Sequence, residues 1–331
     1  MRILYIYRNP NMGFSIGKVF KPIEEEMKKY AEVDSVYLPV PNYSLKGLWR
    51  NIKAARKAER KKKYDVVHIT GAEHYLIPFL TTKQVVVTVH DLGFYFNEKK
   101  KLNYPIKHLL FVYVLKLARR VTFISKKSED ECLRAVNLNQ KKRIVINNPY
   151  NPAFIYVERS FNTACPRILH IGTKPNKNLN NVIEALSGIP CVLRIIGKVD
   201  DKGITRMNEL GVNYSISDNL TDGEIIKEYQ MCDIVCFPSL YEGYGMPIIE
   251  GQASGRVVLT SRIPPMDDVA GDGAIFVAPQ SVESIRKGFL DIIENAELRN
   301  TLIVKGFKNI ERFRLSSITK VYYALYKDMI S

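Results

Sequence analysis

Short apolar runs rich in Val and Ile, repeated along the whole chain, limit the folds open to this sequence more than any other feature. In the first half they are RILYIY (2–7), DVVHIT (65–70), VVVTVH (85–90), VTFIS (121–125) and IVINN (144–148). The second half repeats the theme with RILHIG (167–172), VLRIIG (192–197), DIVCFPS (233–239), VVLTS (257–261) and AIFVAP (274–279). Between them lie stretches of helical period such as NLNNVIEAL (178–186) and GEIIKEYQM (223–231). Strands apolar on both faces, alternating with helices, require parallel sheets covered on each side, hence two doubly wound α/β domains. NNPYNPAF (147–154), with two prolines, three asparagines and no period, reads as the linker. Ligands of such folds bind at the carboxyl ends of the strands.

The 331 residues, 46% of them hydrophobic, suffice for two ordinary cores. The apolar stretch LLFVYVL (109–115) is far shorter than the roughly 20 residues that span a bilayer. Met1-Arg2 leads straight into ILYIY without a cleavage pattern, so a cytoplasmic protein is expected. Cys132, Cys165, Cys191, Cys232 and Cys236 form no CxxC pair, so reduced thiols are expected and a zinc site is not.

Charge is divided unevenly. Residues 1–150 carry 29 basic and 13 acidic side chains, whereas residues 151–331 carry 20 and 21. The basic excess gathers in LKGLWRNIKAARKAERKKKYD (45–65), where Leu45, Leu48, Trp49 and Ile52 share helical spacing, and in YPIKHLLFVYVLKLARR (104–120). One reading is a solvated helix face. The other is attachment to an anionic membrane, where each basic residue near the surface contributes about 1 kcal/mol.

The segment SLYEGYGMPIIEGQASGRVVLTS (239–261) lies between two such strands and places Glu242 and Glu250 around a glycine-rich turn. Pro247 suits the first helical position. Glu250 then falls in the first turn, and the N–H groups around Gly243, Tyr244, Gly245 and Met246 face an anion. A ligand with both phosphate and hydroxyl groups, a nucleotide sugar, accounts for a carboxylate beside such a site. In HIGTKPNKNLNNVIEAL (170–186) a strand ends at Gly172 and a helix begins near Asn178, with Lys174 and Lys177 between them. This is a second phosphate cradle. No D-x-D pair occurs, so lysine rather than a metal is expected to balance a diphosphate.

These motifs resemble the family 4 glycosyltransferases, retaining enzymes of the GT-B fold whose hallmark is E-x7-E. The resemblance covers nearly the whole chain, including PNMGFSIG (10–17), VHDLGF (89–94), FISKKSEDE (123–131) and INNPYNP (146–152). It implies an α/β GT-B fold, two Rossmann-like domains facing a central cleft. The acceptor-binding domain would be 1–152 and the donor-binding domain 153–313, with a helix at 314–331 that either returns to the first domain or packs in the second.

By the same resemblance Glu250 would hydrogen-bond the ribose and Glu242 would lie against the sugar ring. Lys177, with Gly172 behind it, would hold the diphosphate. The main chain of Gly243, Tyr244, Gly245 and Met246 would hold phosphate and sugar hydroxyls, and Ser217, Asn219 and Leu220 would flank the base. His90 would sit across the cleft near the reacting carbon, a role weighed against a structural hydrogen bond. Asn11, Gly13, Glu73, His74 and His90 are the candidates for the acceptor, with helix capping as the other reading of Glu73 and His74.

Thr173 stands where the family often has Arg, so one of the usual two phosphate cations is either missing or replaced by Lys174. Asp218 replaces a common glycine, Gln252 a small or apolar residue and Asp268 a glutamate. The implied reaction moves a sugar with retention from a UDP- or GDP-sugar to a glycan or lipid-linked glycan, in cell-surface polysaccharide or lipopolysaccharide assembly. Neither a cofactor nor a metal is expected. The leaving phosphate takes the acceptor proton and no general base is required. The competing readings are a nicotinamide-dependent oxidoreductase, which needs a G-x-G-x-x-G turn that is absent, and a basic nucleic-acid-binding protein, for which no motif is found.

Overall fold

A computed structural model describes residues 1–12, 15–91 and 104–331. The chain divides into two compact units, residues 1–149 with 315–331, and residues 150–314.

The first unit holds β1 (Arg2–Tyr7), β2 (Glu32–Tyr37), β3 (Val66–Ile69), β4 (Val85–Val89), β5 (Arg120–Phe123) and β6 (Arg143–Val145). They form a parallel sheet in the order β2-β1-β3-β4-β5-β6. In the second unit β7 (Arg167–Ile171), β8 (Val192–Ile196), β9 (Asn213–Ser217), β10 (Ile234–Phe237), β11 (Val257–Ser261) and β12 (Ile275–Val277) pair in parallel in the order β12-β11-β10-β7-β8-β9. The apolar runs are thus strands. β2 and β9 were not among those runs, because the partly covered edge strands EVDSVY and NYSIS carry mostly polar side chains, whereas the edge strands β6 and β12 are apolar.

In each sheet the chain leaves its first strand in one direction and later returns to the other side. The reversal falls between β1 and β3 in the first unit and between β7 and β10 in the second. Helices on opposite faces diverge there, which opens a crevice at the carboxyl ends of those strands.

Alternate residues of β1 feed two cores. Leu4 and Ile6 join Val67, Val87 and Phe123 on one face. Ile3, Tyr5 and Tyr7 join helix Ser15–Met27 and the C-terminal helix Leu315–Ile330 on the other. The last helix therefore packs in the first unit. Its Tyr326 hydroxyl lies 3.1 Å from that of Tyr5 and 2.6 Å from His68 Nδ1, while His68 Nε2 meets Thr88 Oγ1 at 2.8 Å. Burial pushes the His68 pKa down to about 3, so the imidazole is neutral in this network.

Candidate functional site

In the second unit two loops meet at the β7/β10 reversal. The first leaves β7 at Gly172, whose φ of +89° suits glycine. A Cβ there would come within 3.1 Å of Lys177 Cγ and Cε. The glycine leaves room for the lysine side chain. After a short 3-10 turn, Pro175–Lys177, Asn178 takes a left-handed φ of +66°, and helix Leu179–Ala185 follows. The buried Asn178 amide donates to the carbonyls of Pro238, at 2.9 Å, and Pro279, at 2.7 Å.

The second loop leaves β10 and is tied to the first. Leu240 N donates to Asn176 O at 2.8 Å, and Asn176 Nδ2 donates to Tyr241 O at 2.9 Å and to Glu242 Oε1 at 3.2 Å. Lys177 Nζ then reaches Glu242 Oε1 at 2.6 Å while sitting 4.7 Å from the Phe237 ring centroid. Two residues that the sequence sent to different parts of a ligand are joined as an ion pair. Each side chain keeps some exposure, so the pair is reachable from outside.

Gly245, at φ +113°, ends the turn and caps helix Met246–Ala253. Pro247 therefore sits second in the helix, and Glu250 begins its second turn rather than lying in the first. The displacement arises because the left-handed residue is Gly245, so Met246 is already helical. Glu250 Oε2 accepts a 2.6 Å hydrogen bond from the hydroxyl of Tyr229, a fully buried side chain on helix Asp222–Met231. Desolvation first, and then the Glu250 charge, push the Tyr229 pKa far up, so it stays a donor. The Tyr244 ring is buried edge-on to Phe313 at 6.4 Å, which leaves its main chain as the part that can meet a ligand.

Other expected residues are spread along the same strand ends. Thr173 packs beside Gly197, where a Cβ would meet its Cγ2 at 3.0 Å, and Lys174 is exposed. Ser217 Oγ accepts from Arg194 Nη2 at 2.8 Å, and Arg194 also binds Glu228 at 2.6 Å. Asn219, at φ +53°, and Leu220 follow β9, two strands from β7. Gln252 has a structural role: it is buried, donates to Ala270 O and Gly273 O, and accepts from Asn309. Asp268 lies at the surface, 3.7 Å from Arg312.

In the first unit, His90 Nε2 donates to Thr70 O at 2.8 Å. Desolvation lowers the His90 pKa, so the ring is neutral and its Nδ1 is left as an acceptor. Asn11 is exposed, and Gly13 lies outside the described residues. Glu73 and His74 are both 1% exposed. Glu73 precedes the 3-10 helix His74–Phe79 but makes no side-chain capping bond. Burial raises its pKa to about 7. His74 Nδ1 donates to Phe111 O at 2.5 Å, its Nε2 has no partner, and burial lowers its pKa to about 4. His74, His90, Arg8 and Asp91 line a cavity of about 550 Å3 whose remaining wall is largely apolar.

Asn176, Asn178 and Tyr229 escaped the sequence reading. Asn178 had a usable signal, since asparagine tolerates the left-handed conformation needed just before a helix. Tyr229 at helical spacing looks like core and reveals its role only through Glu250.

Residues 161–309 match the family described as "Glycosyl transferases group 1", and residues 19–154 match "Glycosyltransferase Family 4". The two matches adjoin and cover most of both units. The chain belongs to the family 4 glycosyltransferases. Its two parallel, doubly wound units are those of the GT-B fold. It is 25% identical over 233 residues to the serotype-specific mannosyltransferase WbdA of Escherichia coli, covering 62% of this chain and 28% of WbdA. The chain thus spans less than a third of that relative. It is 22% identical over 306 residues to the O-antigen chain mannosyltransferase B of Escherichia coli, covering 84% of this chain and 79% of the other. The crystal structure of HepE from Anabaena in complex with UDP and glucose superposes with a TM-score of 0.77 at 15% identity, covering 99% of this chain and all of that one. Placed in this family, Glu242 and Glu250 are the ends of its E-x7-E motif, and the ion pair with Lys177 ties that motif to the β7 loop. Among the described residues no group of three or more His, Cys, Asp or Glu side chains is placed to hold a metal ion.

Proposed function

We propose that this family 4 glycosyltransferase moves a sugar from a UDP- or GDP-sugar to a glycan or lipid-linked glycan in cell-surface polysaccharide assembly, with retention and without a metal. The observation that carries the reading is the Lys177–Glu242 ion pair at the β7/β10 reversal, with Glu250 held by Tyr229 one turn into the neighbouring helix. Glu250 offers a fixed carboxylate to the two ribose hydroxyls. Lys177 and the N–H groups of Gly243 to Met246 offer positive charge to the diphosphate. The UDP held by HepE and the mannose-transferring relatives support a nucleotide sugar as the donor.

In the proposed step the acceptor oxygen bonds to the anomeric carbon as the bond from that carbon to the β-phosphate oxygen breaks. The acceptor proton passes to the departing phosphate. Before the donor arrives, Glu242 holds the lysine in place, so the cation needs little reorganisation when charge develops on the leaving group. Neutral His90 can accept a hydrogen bond from the acceptor.

A second observation supports attachment to an anionic membrane. On helix Leu45–Glu59, Leu45 is 87% and Trp49 61% exposed, beside exposed Lys46, Arg50 and Lys53. No helix among the described residues is long and apolar enough to cross a membrane.

The test is a thermal-shift screen with UDP, GDP and their sugars on the wild type, Lys177→Ala and Glu250→Ala. Stabilisation of the wild type by one nucleotide, lost in both variants, is expected. Equal stabilisation of all three proteins would refute the site.

A further inference from the structure

Helix Asp222–Met231 carries Tyr229, whose hydroxyl holds Glu250, and Tyr229 is the one fully covered side chain on that helix. Apolar burial has no direction, so a single buried ring does little to set how the helix is turned on the sheet. Arg256 bonds the carbonyls of Tyr229 and Gln230, at 3.0 and 2.9 Å, and so fixes the end of the helix through its main chain. Its turn is fixed by a side chain, Glu228. The two Glu228 oxygens accept from Arg167 Nη2 on β7, at 2.9 Å, and from Arg194 Nη2 on β8, at 2.6 Å. Desolvation works to neutralise this carboxyl, but the two guanidinium bonds outweigh it and hold the pKa below its ordinary value, so Glu228 is charged. The same Arg194 nitrogen also donates to Ser217 Oγ at 2.8 Å. Ser217 ends β9 and Thr221 caps the helix, with residues 218–220 between them. One nitrogen of a side chain only 7% exposed thus grips the strand before that turn and the helix after it. Its hydrogens lie in the guanidinium plane, so strand end and helix cannot rotate against each other without breaking a bond. Apolar side chains of similar volume would hold a helix on a sheet as firmly as this covered ion pair, but without its direction.

We propose that Arg194 is a positioning residue for the donor nucleoside. Through Ser217 it sets the turn 218–220 beside the base, and through Glu228 it sets the helix that presents Tyr229 to Glu250 and the ribose. The inference rests on the donor reading of this site proposed above, which supplies the places of base and ribose; the clamp itself is carried by the bonds of Arg194.

The test is titration calorimetry on the whole chain with UDP, GDP and their 2′-deoxy forms, beside melting curves. Wild type should bind one base more tightly than the other, and ribose more tightly than deoxyribose. Arg194→Met leaves Glu228 its Arg167 partner and should reduce both preferences about fivefold or more, the loss expected when a bond to a charged group goes. Arg194→Lys keeps a cation for Glu228 and should retain most of the ribose preference. Ser217→Ala should lower the base preference alone. Added to Tyr229→Phe, Arg194→Met should cost no further ribose preference, because it acts through that tyrosine. Arg206→Met breaks an exposed pair with Glu184 and is the control, in which both preferences hold. Should Arg194→Met not fold, Glu228→Gln, of the same shape without the charge, is read for the ribose preference instead. A lower melting temperature with both preferences intact makes the arginine structural and overturns the inference. So does a further loss of ribose preference in the double variant. Failure of the wild type to bind either nucleotide would refute the donor reading itself, and the inference with it, so the two failures are distinguishable.

Discussion

Lys177 Nζ and Glu242 Oε1 stand 2.6 Å apart at the point where the second sheet reverses direction. The cation proposed to meet a diphosphate is here balanced by a carboxylate eight positions before Glu250. The pair sets lysine position at the cost of some of its attraction for an anion, and the two effects can be separated. Lys177→Ala should lower kcat/KM by about 10²- to 10³-fold, the loss expected for a charge-stabilising group, and weaken nucleoside diphosphate binding. Glu242→Gln removes the competing charge, so the nucleoside diphosphate should bind roughly threefold to tenfold more tightly while kcat falls. Calorimetry beside steady-state rates checks both; equal diphosphate affinity in wild type and Glu242→Gln would place the pair away from the phosphates.

Tyr229→Phe deletes the 2.6 Å bond to Glu250 and leaves the buried ring in place. Hydrogen bonds to charged groups contribute about 1.5–3 kcal/mol, so a fall in melting temperature is expected. The functional signature is narrower. Wild type should prefer UDP over 2′-deoxy-UDP, and the variant should lose most of that preference, read as a ratio of dissociation constants.

Gly172→Ala places a Cβ at a φ of +89° and within 3.1 Å of Lys177. The left-handed backbone alone costs about 1–2 kcal/mol in a non-glycine residue. Diphosphate affinity should fall together with stability. Gly188→Ala serves as a control, because its φ is +71° with nothing within 4 Å: stability should fall and diphosphate affinity should hold.

Removal of residues 315–331 strips Tyr322, Tyr326 and Met329 from the sheet face that holds Ile3, Tyr5 and Val66. His68 then loses its Tyr326 partner. The shortened chain should lose the cooperative melting of its first unit and expose apolar surface to a dye such as ANS. Retention of the full melting transition would show that the helix contributes little.

Stability should also depend on pH. His68 at about 3, and His74 and His170 at about 4, are neutral when folded but take up protons near 6.5 when unfolded. The unfolded chain binds more protons in that window, so these residues stabilise the fold above pH 6.5, and their contribution is lost as pH falls toward 4. Glu73 works in the opposite sense. Its folded pKa of about 7 lies above the usual carboxylate range, so its contribution is present at low pH and is lost as pH rises to 7. Each group titrating alone gives a slope of about 1.4 kcal/mol per pH unit. Melting curves from pH 4 to 7 should rise with pH, because three imidazoles oppose one carboxyl. Glu73→Gln should steepen the rise.

The sequence alone determined the architecture, because strands buried on both faces must be apolar throughout, and RILYIY, VVVTVH, RILHIG and VVLTS announce themselves without any partner. It failed at β2 and β9, edge strands whose partly covered side chains are mostly polar, although the apolar edge strands β6 and β12 were legible. It also located the two turns at Gly172 and Gly245, since glycine at positive φ and proline near a helix start reflect local backbone demands. Only the tertiary structure could show that Lys177 is paired with Glu242, 65 residues away, that Asn176 and Asn178 tie the two loops together, and that Tyr229 fixes Glu250. It also showed that Glu73 and His74 are buried. Local geometry is written in neighbouring residues, whereas charge pairing and desolvation depend on which distant segments the sheet order brings together.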